Sequence, residues 1–385
     1  MNNGAEPHTK SSAGSVPLDR STLIRELIGL SIDCGHETSK DEGDESNNFP
    51  RQSAPCLLFN ADCDCRYAQP DPRFAGVAHV FHQNWLGIRS AVGALPGDKI
   101  AAPPERELTA KDRTTLLAQL AAWGVDKAIF HGFSPATASI LKALCAEGIC
   151  CYLVWHGSLA QLALRPEVDF FEAALRAANR GLFKRAHMLK AGMECVFPNA
   201  FRPMLFNSVP YVTTKRLCPP FAEGAAVALV PAHTDIWKNL HTSLVGAALS
   251  SIETVFHYGK VRGNISVLKR CRRVRYDGHE RHLSLLSQVD VAVNVTVIDC
   301  HPMVPLESLA AGAPCVTGPL FLDALQDHPY TIATTVSNPF DVKGMAWRLN
   351  SLRMMNSSEL IQIIDDYRAA TRKLSLERYM EFLGS

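Results

Sequence analysis

Short apolar runs alternate with amphipathic segments along most of this chain. Residues 108–124 and 135–148 carry apolar side chains at intervals of three and four, which predicts helices. Runs rich in β-branched and aromatic residues flank them and predict strands at 56–60, 77–81, 127–133 and 150–157. This alternation is typical of a parallel sheet with helices on both faces. Residues 55–218 are therefore predicted to form one Rossmann-like domain.

The same alternation resumes in the second half of the chain. Apolar runs predict further strands at 225–231, 251–259 and 291–298, with helical segments between and after them. A second Rossmann-like domain is therefore predicted at 219–370. Residues 166–195 have apolar side chains at helical spacing and are predicted to be helical. The polar residues 1–54 are predicted to form a largely disordered extension.

One stretch of the second domain, residues 290–318, concentrates the candidate chemistry. Its buried strand is followed by a polar turn that starts at Asp299, and an apolar helix face begins near Pro305. In an open parallel sheet such a loop leads to a helix N-terminus, whose free N–H groups bind anions. Asp299 and Glu307 stand at the two ends of this loop, with seven residues between them.

This spacing, with the LESLAAGAPCVTG sequence that continues from it, resembles the nucleotide-sugar motif of retaining GT-B glycosyltransferases of the family-four type. Asp290 precedes Asp299 by nine residues, as the strand-opening Asp of that family precedes its first motif acid. The resemblance implies a GT-B fold, in which two Rossmann-like domains face each other across a cleft. It also implies that residues 371–385 form a terminal helix that returns to the first domain.

The resemblance implies a function as well. A sugar would pass from a nucleoside-diphosphate sugar to a hydroxyl of a glycan or lipid-linked acceptor, in polysaccharide or glycolipid assembly. Glu307 would hold the ribose hydroxyls, Asp299 would hold the donor sugar, and Lys238 would neutralise the leaving diphosphate. No metal or other cofactor is then required, because Lys238 and a helix N-terminus supply the positive charge. The other donor-side candidates are His233, Thr296, His301, Met303 and Val304.

The first domain resembles the same family at two strand ends. One predicted strand ends in His131 before Ser134 and a proline, and the next ends in His156 before a glycine. We therefore predict a catalytic role for His156 and acceptor-side roles for His131, Ser134 and Arg89. A purely structural, hydrogen-bonded role for His131 remains an equal alternative.

Three departures from the family pattern concern the donor site. His233 stands where the family has an arginine, and a neutral imidazole does not replace a permanently charged, bidentate guanidinium. Asp299 stands where the family usually has the longer glutamate. In place of the family's glycine-rich loop after the first strand, this chain has only the widely spaced Gly76 and Gly87.

Composition narrows the functional classes. The 385 residues are 47% hydrophobic and 20% charged, which suits two globular domains, and the net charge of +1 argues against a nucleic-acid binder. The twelve cysteines have no paired CxxC spacing and are predicted to be free thiols in a reducing cytosol. No apolar stretch is long enough for a membrane span and no signal peptide is recognisable, so we expect a cytoplasmic protein.

The segment 269–275 places five cations within seven residues. Two interpretations are equally open: a solvated strand end, or peripheral contact with the anionic inner face of a membrane.

Three functional hypotheses follow from the sequence. A glycosyltransferase is favoured over an enzyme such as an epimerase that converts the nucleotide sugar alone. A non-catalytic descendant that acts as a scaffold or binding module is the third, and it is supported by His233 and the missing glycine-rich loop. The chain has no GxGxxG after a strand, no phosphate-binding GxxxxGK[ST] and no GxSxG around Ser134, which weakens dehydrogenase, P-loop and hydrolase hypotheses.

Overall fold

The computed structural model describes residues 57–60, 68–103, 107–163, 167–214, 216, 218–222, 224–261 and 266–384. The predicted N-terminal extension, residues 1–54, lies outside the described residues.

The first domain is built on a sheet that contains, among the described residues, six strands in the order β1-β3-β2-β4-β5-β6. All neighbours are parallel except β1, which pairs antiparallel with β3 at one edge. The strands are β1 (Leu58–Phe59), β2 (Val77–His82), β3 (Asp98–Ala102), β4 (Lys127–His131), β5 (Cys150–Trp155) and β6 (Arg185–Met188). The helices are α1 (Leu86–Gly93), α2 (Ala110–Trp123), α3 (Pro135–Ala146) and α4 (Glu167–Asn179).

The second domain is built on a parallel sheet with the order β11-β10-β7-β8-β9 among the described residues. Its strands are β7 (Val227–Val230), β8 (Thr254–His257), β9 (Cys271–Arg273), β10 (Val291–Asn294) and β11 (Cys315–Thr317). The helices are α5 (Leu240–Leu249), α6 (His279–Leu286), α7 (Met303–Ala310), α8 (Pro329–Thr334), α9 (Val342–Met354) and α10 (Ser357–Leu383). The predicted fold of two domains with parallel sheets is therefore confirmed.

The predicted helix over 166–195 is wrong in its second half. Helix α4 ends at Asn179, and Gly181 then takes a left-handed conformation, with φ of 71°, that turns the chain back towards the sheet. Residues Arg185–Met188 form strand β6 at the sheet edge. Strand β3 was not predicted from the sequence, because its run DKIAA is short and contains a lysine. In the structure Lys99 is buried and donates to the carbonyls of Leu95 and Gly97.

Helix α10 connects the two domains. Its first half contributes Tyr367 to the core of the second domain, and its last turns contribute Tyr379 to a core cluster of the first. Polar contacts fix the crossing, since Ser375 donates to the carbonyl of Phe206 at 2.8 Å and the hydroxyl of Tyr152 donates to the carbonyl of Leu383 at 3.0 Å. One continuous helix thereby sets how the two sheets face each other.

Asp290, at the start of β10, has a structural role. Its carboxylate is fully buried and accepts the backbone N–H groups of Phe221 and Val227, both at 2.8 Å. The guanidinium of Arg216 lies 3.8 Å away and neutralises the charge. Asp290 therefore fastens the segment that enters the second domain to the central strands of its sheet.

We expect Asp290→Asn to lower the free energy of unfolding by about 2 kcal/mol, because the amide group would face one of these N–H donors and Arg216 without accepting from either. Chemical denaturation measures this loss. The exposed Asp327 gives the matched control, Asp327→Asn, which should unfold as the wild type does. Equal stability of the two variants would refute the structural role of Asp290.

Candidate functional site

The candidate site lies where the loops after the strands of both sheets meet. Helix α1 of the first domain packs against α7 of the second. The side chain of Asn207, from the segment that links the domains, donates to the carbonyl of His301 at 2.7 Å. These contacts bring the loop after β10 opposite the loops after β4 and β5, so that side chains of both domains line one cleft.

Lys238 and Asp299 form an ion pair in this cleft. The loop that carries Lys238 is fixed because the side chain of Asn239 donates to the carbonyl of Val295 at 3.0 Å, and the N–H of Val297 donates to the carbonyl of Trp237 at 2.9 Å. Lys238 Nζ then lies 2.9 Å from Asp299 Oδ2. Burial lowers the pKa of Lys238, but the charge and hydrogen bond of Asp299 outweigh it, so that the net pKa is raised. The lysine is therefore charged and already neutralised by Asp299.

The N-terminus of α7 lies beside this pair. Met303 and Val304 occupy its first two positions, where backbone N–H groups have no acceptor within the helix. Pro302 precedes them and provides no side-chain cap. The positive end of the helix dipole is therefore open to an anion. Thr296 lies two residues beyond β10 and is buried, as is Met303.

Glu307 is buried in a cluster of aromatic and histidine side chains. Its Oε2 lies 3.3 Å from His282 Nε2, and its Oε1 lies 3.9 Å from His279 Nε2. His282 Nδ1 in turn lies 2.9 Å from the hydroxyl of Tyr258. Burial raises the pKa of Glu307, but the hydrogen bond and charge of His282 and the charge of His279 outweigh it, and the net pKa is lowered. Glu307 is therefore an ionised carboxylate at neutral pH.

His156 ends a chain of three histidines that begins inside the first domain. His156 Nε2 lies 2.9 Å from His131 Nδ1, and His131 Nε2 lies 2.9 Å from His79 Nδ1. His156 is half-buried, whereas His131 and His79 are fully buried. His131 therefore reaches the cleft only through His156. Ser134 is also buried, and its hydroxyl caps helix α3 by accepting from the N–H of Thr137 at 3.3 Å.

His301 faces the first domain from the start of α7. Its Nδ1 accepts the N–H of Asn207 at 2.9 Å, and burial lowers its pKa to about 3, so it is neutral. Burial, with a smaller contribution from the charge of His301, lowers the pKa of His156 to about 3. A cavity of about 260 Å³ beside α7 includes His301 and Tyr367 in its lining but none of Lys238, Asp299 and Glu307.

Two further predicted site residues lie at the edges of the site. His233 is exposed in the loop between β7 and α5, and burial of its ring together with the charge of Lys238 lowers its pKa, so it lies on the Lys238 side of the site. Arg89 is half-buried on α1, near enough to His279 that its charge adds to burial in lowering the pKa of that histidine. The structure therefore brings together Lys238 with Asp299 and Arg89 with the surroundings of Glu307.

The cationic segment 269–275 is largely engaged within its own domain. Arg270 donates to the carbonyl of Ile252, Arg272 to the carbonyl of Lys269 at 2.7 Å, and Arg273 to the carbonyl of Tyr258. These contacts favour the interpretation of a solvated strand end. No helix of the described residues is both long and apolar enough to span a membrane.

Four residues of the site were not predicted from the sequence. His79 lies within an apolar strand, where its side chain gave no chemical signal, and Tyr258 ends another. His279 and His282 belong to the sequence HERH, whose spacing of three places both side chains on one helix face. That spacing was a usable signal. The described residues contain no cluster of three or more side chains suited to hold a metal ion.

Comparison with known proteins identifies the architecture. The α,α-trehalose-phosphate synthase (UDP-forming) from Burkholderia xenovorans, in complex with glucose-6-phosphate, is similar with a TM-score of 0.50 and 12% identity over 80% of this chain and 99% of that chain. The sucrose-phosphate synthase from Thermosynechococcus elongatus is similar with a TM-score of 0.50 and 13% identity over the same shares. No protein-family profile and no curated protein sequence matches the chain. The chain therefore has the GT-B fold, as the sequence predicted.

Proposed function

We propose that this protein is a retaining glycosyltransferase that moves a sugar from a nucleoside-diphosphate sugar to an acceptor hydroxyl. The observation that carries the proposal is the convergence of Lys238, Asp299 and the open N-terminus of α7 at the cleft between the two domains. In the GT-B fold this arrangement suits a ligand that joins a sugar to a diphosphate. The acceptor class we propose is a glycan or a lipid-linked sugar, in polysaccharide or glycolipid assembly.

The proposed chemistry depends on electrostatic stabilisation of the leaving group. As the glycosidic bond breaks, negative charge grows on the diphosphate and positive charge grows on the sugar ring. Lys238 and the N–H groups of Met303 and Val304 would hold the diphosphate, and the Asp299 carboxylate would hold hydroxyls of the donor sugar. His156 would contact the sugar from the other domain. None of these steps requires a metal ion.

Donor binding would rearrange the ion pair of the free protein. Lys238 and Asp299 are 2.9 Å apart, so a diphosphate that reaches Lys238 must displace the carboxylate. The displaced Asp299 is then available to accept hydrogen bonds from the sugar. This exchange also accommodates the shorter side chain of Asp299, because the carboxylate would move towards the ligand when the lysine is occupied.

Glu307 would hold the nucleotide ribose in this proposal. Its Oε1 is 3.9 Å from His279, which is too long for a hydrogen bond, and so one carboxylate oxygen is available to a ribose hydroxyl. Its Oε2 remains held by His282. Tyr258 and His282 would then position the carboxylate without touching the donor.

The second candidate function is a binding module that holds a nucleotide sugar or a protein partner without transfer. The observation that favours it is the charge of the donor site: Lys238 is neutralised by Asp299, and His233 replaces the second cation. A ligand with two phosphate charges would meet only one permanently charged side chain among these positions.

Thermal unfolding of the protein with a panel of nucleoside-diphosphate sugars tests the proposal. A donor at a hundred times its Kd should stabilise the fold by about 2.7 kcal/mol, which appears as a raised midpoint. Product analysis with glycan acceptors then separates transfer from conversion of the donor alone. If no donor raises the midpoint, the glycosyltransferase proposal fails; if a donor binds without turnover, the binding module is favoured.

We expect His233→Arg to tighten binding of that donor about tenfold, or about 1.4 kcal/mol, because a guanidinium would supply the missing second cation. Calorimetric titration measures the change. Thr234→Arg adds the same charge one residue along the exposed loop and is the matched control. Equal gains from both variants would mean that general attraction, and not a specific contact at position 233, produced the effect.

A further inference from the structure

The three hydrogen-bonded histidines of the first domain, His156, His131 and His79, end at a backbone carbonyl in the interior of the domain. His79 Nε2 lies 2.7 Å from the carbonyl oxygen of Pro96, in the loop before β3. This close approach depends on Gly97, whose φ is 102° and where a Cβ would stand 2.7 Å from the carbonyl of Val77 and 3.3 Å from the His79 ring. The series of hydrogen-bonded groups therefore runs from the Pro96 carbonyl through His79 and His131 to His156 at the cleft.

The carbonyl determines the direction of every hydrogen bond in this chain. A carbonyl oxygen only accepts, so His79 must carry its proton on Nε2. A neutral imidazole has one donor and one acceptor nitrogen, and His79 Nδ1 therefore accepts from His131 Nε2. By the same step, His131 Nδ1 accepts from His156 Nε2. His156 is left with an unprotonated Nδ1, which has no hydrogen-bonding partner among the described residues.

The surroundings keep all three rings neutral, as this reasoning requires. Burial lowers the pKa of His79 and of His131 well below the ordinary value, and the charge of Lys99 lowers both further. Burial, with the nearby His301 and His187, lowers the pKa of His156 to about 3. No ring therefore gains a second proton near neutral pH. A base this weak is a hydrogen-bond acceptor and not an efficient general base.

We propose that His79 and the Pro96 carbonyl are positioning groups that fix the tautomer of His156, so that its Nδ1 accepts a hydrogen bond from a hydroxyl in the cleft. The assignment of that hydroxyl to the transferred sugar or to its acceptor rests on the proposed function. The tautomer of His156 does not depend on that function. A hydroxyl can donate its proton to the lone pair of His156 Nδ1. An unprotonated phosphate oxygen has no proton to donate and would be repelled by that lone pair.

Long-range ¹H–¹⁵N correlation spectra of histidine-labelled protein, without ligand, report the tautomer directly. We expect the signals of His156, His131 and His79 to show a protonated Nε2 and an unprotonated Nδ1, with assignments from single His→Gln variants. His187 provides an internal reference of the opposite kind, since its Nδ1 donates to the carbonyl of Phe201 and its Nε2 accepts the N–H of Leu205. A protonated Nδ1 on His156 in the wild type overturns the proposal.

The variant His79→Leu removes the link to Pro96. His131 Nε2 then loses its acceptor, and we expect His156 to change from one tautomer to a mixture of two, while the His187 signals stay unchanged. If the folded variant keeps a single His156 tautomer, the anchoring role of His79 is refuted. If His79→Leu does not fold, the wild-type spectrum and His79→Gln, whose amide reaches towards Pro96, decide the question. These spectra are recorded without a nucleotide sugar. A different tautomer of His156 would therefore overturn the positioning role of His79 without bearing on the glycosyltransferase proposal.

Discussion

Replacement of Lys238 by methionine is expected to reduce kcat/KM for the donor about a thousandfold, or about 4 kcal/mol of transition-state stabilisation. Methionine keeps the length of the side chain and removes its charge. The loss is large because His233 supplies no second permanent cation, so the N–H groups at the start of α7 would stabilise the leaving diphosphate alone. Steady-state kinetics on the identified donor measure it.

The ion pair allows a control that separates catalysis from folding. In Lys238→Met the carboxylate of Asp299, which is only 8% exposed, loses its partner, and we expect the protein to be about 1 kcal/mol less stable. The double variant Lys238→Met/Asp299→Asn removes both charges and should recover that stability, which would trace the loss to the unpaired carboxylate. If Lys238→Met, assayed well below its unfolding midpoint, keeps the wild-type kcat/KM, the lysine acts on the fold and not on the leaving group. Lys343→Met, on the exposed surface of α9, should keep wild-type kinetics.

The sequence allowed prediction of those parts of the fold that local patterns determine. The buried strands around β4, β5, β7 and β10 appear as apolar runs, and several helix starts carry proline or a capping residue, as at Pro135 after Ser134. Strand β6 was missed because its residues continue the helical spacing of α4. Only the left-handed turn at Gly181 and pairing with β5, which lies far back in the chain, make it a strand.

The residues of the site could be predicted from the sequence, but the contacts between them could not. Lys238 and Asp299 are 61 positions apart, and their direct contact follows from the way Asn239 ties one loop to the next. The three histidines and Pro96 come from two strands and two loops, and the direction of their hydrogen bonds depends on Pro96, which carries no chemical signal in the sequence. Polar groups that act through one another are arranged by the tertiary structure, and no local period encodes them.

The Glu307→Gln variant is expected to weaken donor binding about a hundredfold, or about 2.7 kcal/mol. Glutamine has almost the same shape, but it carries no charge and only one of its two terminal atoms accepts a hydrogen bond, so the contacts with His282 and the ribose hydroxyls are weakened. Calorimetric titration of the donor measures the loss. Glu377→Gln, on the exposed face of α10, is the matched control and should bind as the wild type does.

The difference in folding stability between the wild type and Glu307→Gln is expected to depend on pH, and this dependence tests whether the histidines around Glu307 stabilise its carboxylate. The pKa of Glu307 is lower in the folded protein than its unfolded value of about 4.3, so ionised Glu307 contributes stability above that value. The contribution disappears as the pH falls through the lower folded-state pKa. The wild type should therefore be more stable than Glu307→Gln near neutral pH, and the difference should shrink on acidification below about pH 4.3. A stability difference that stays constant down to strongly acidic pH would show that His282 and His279 do not stabilise the carboxylate, and the ribose-binding role would lose its electrostatic basis.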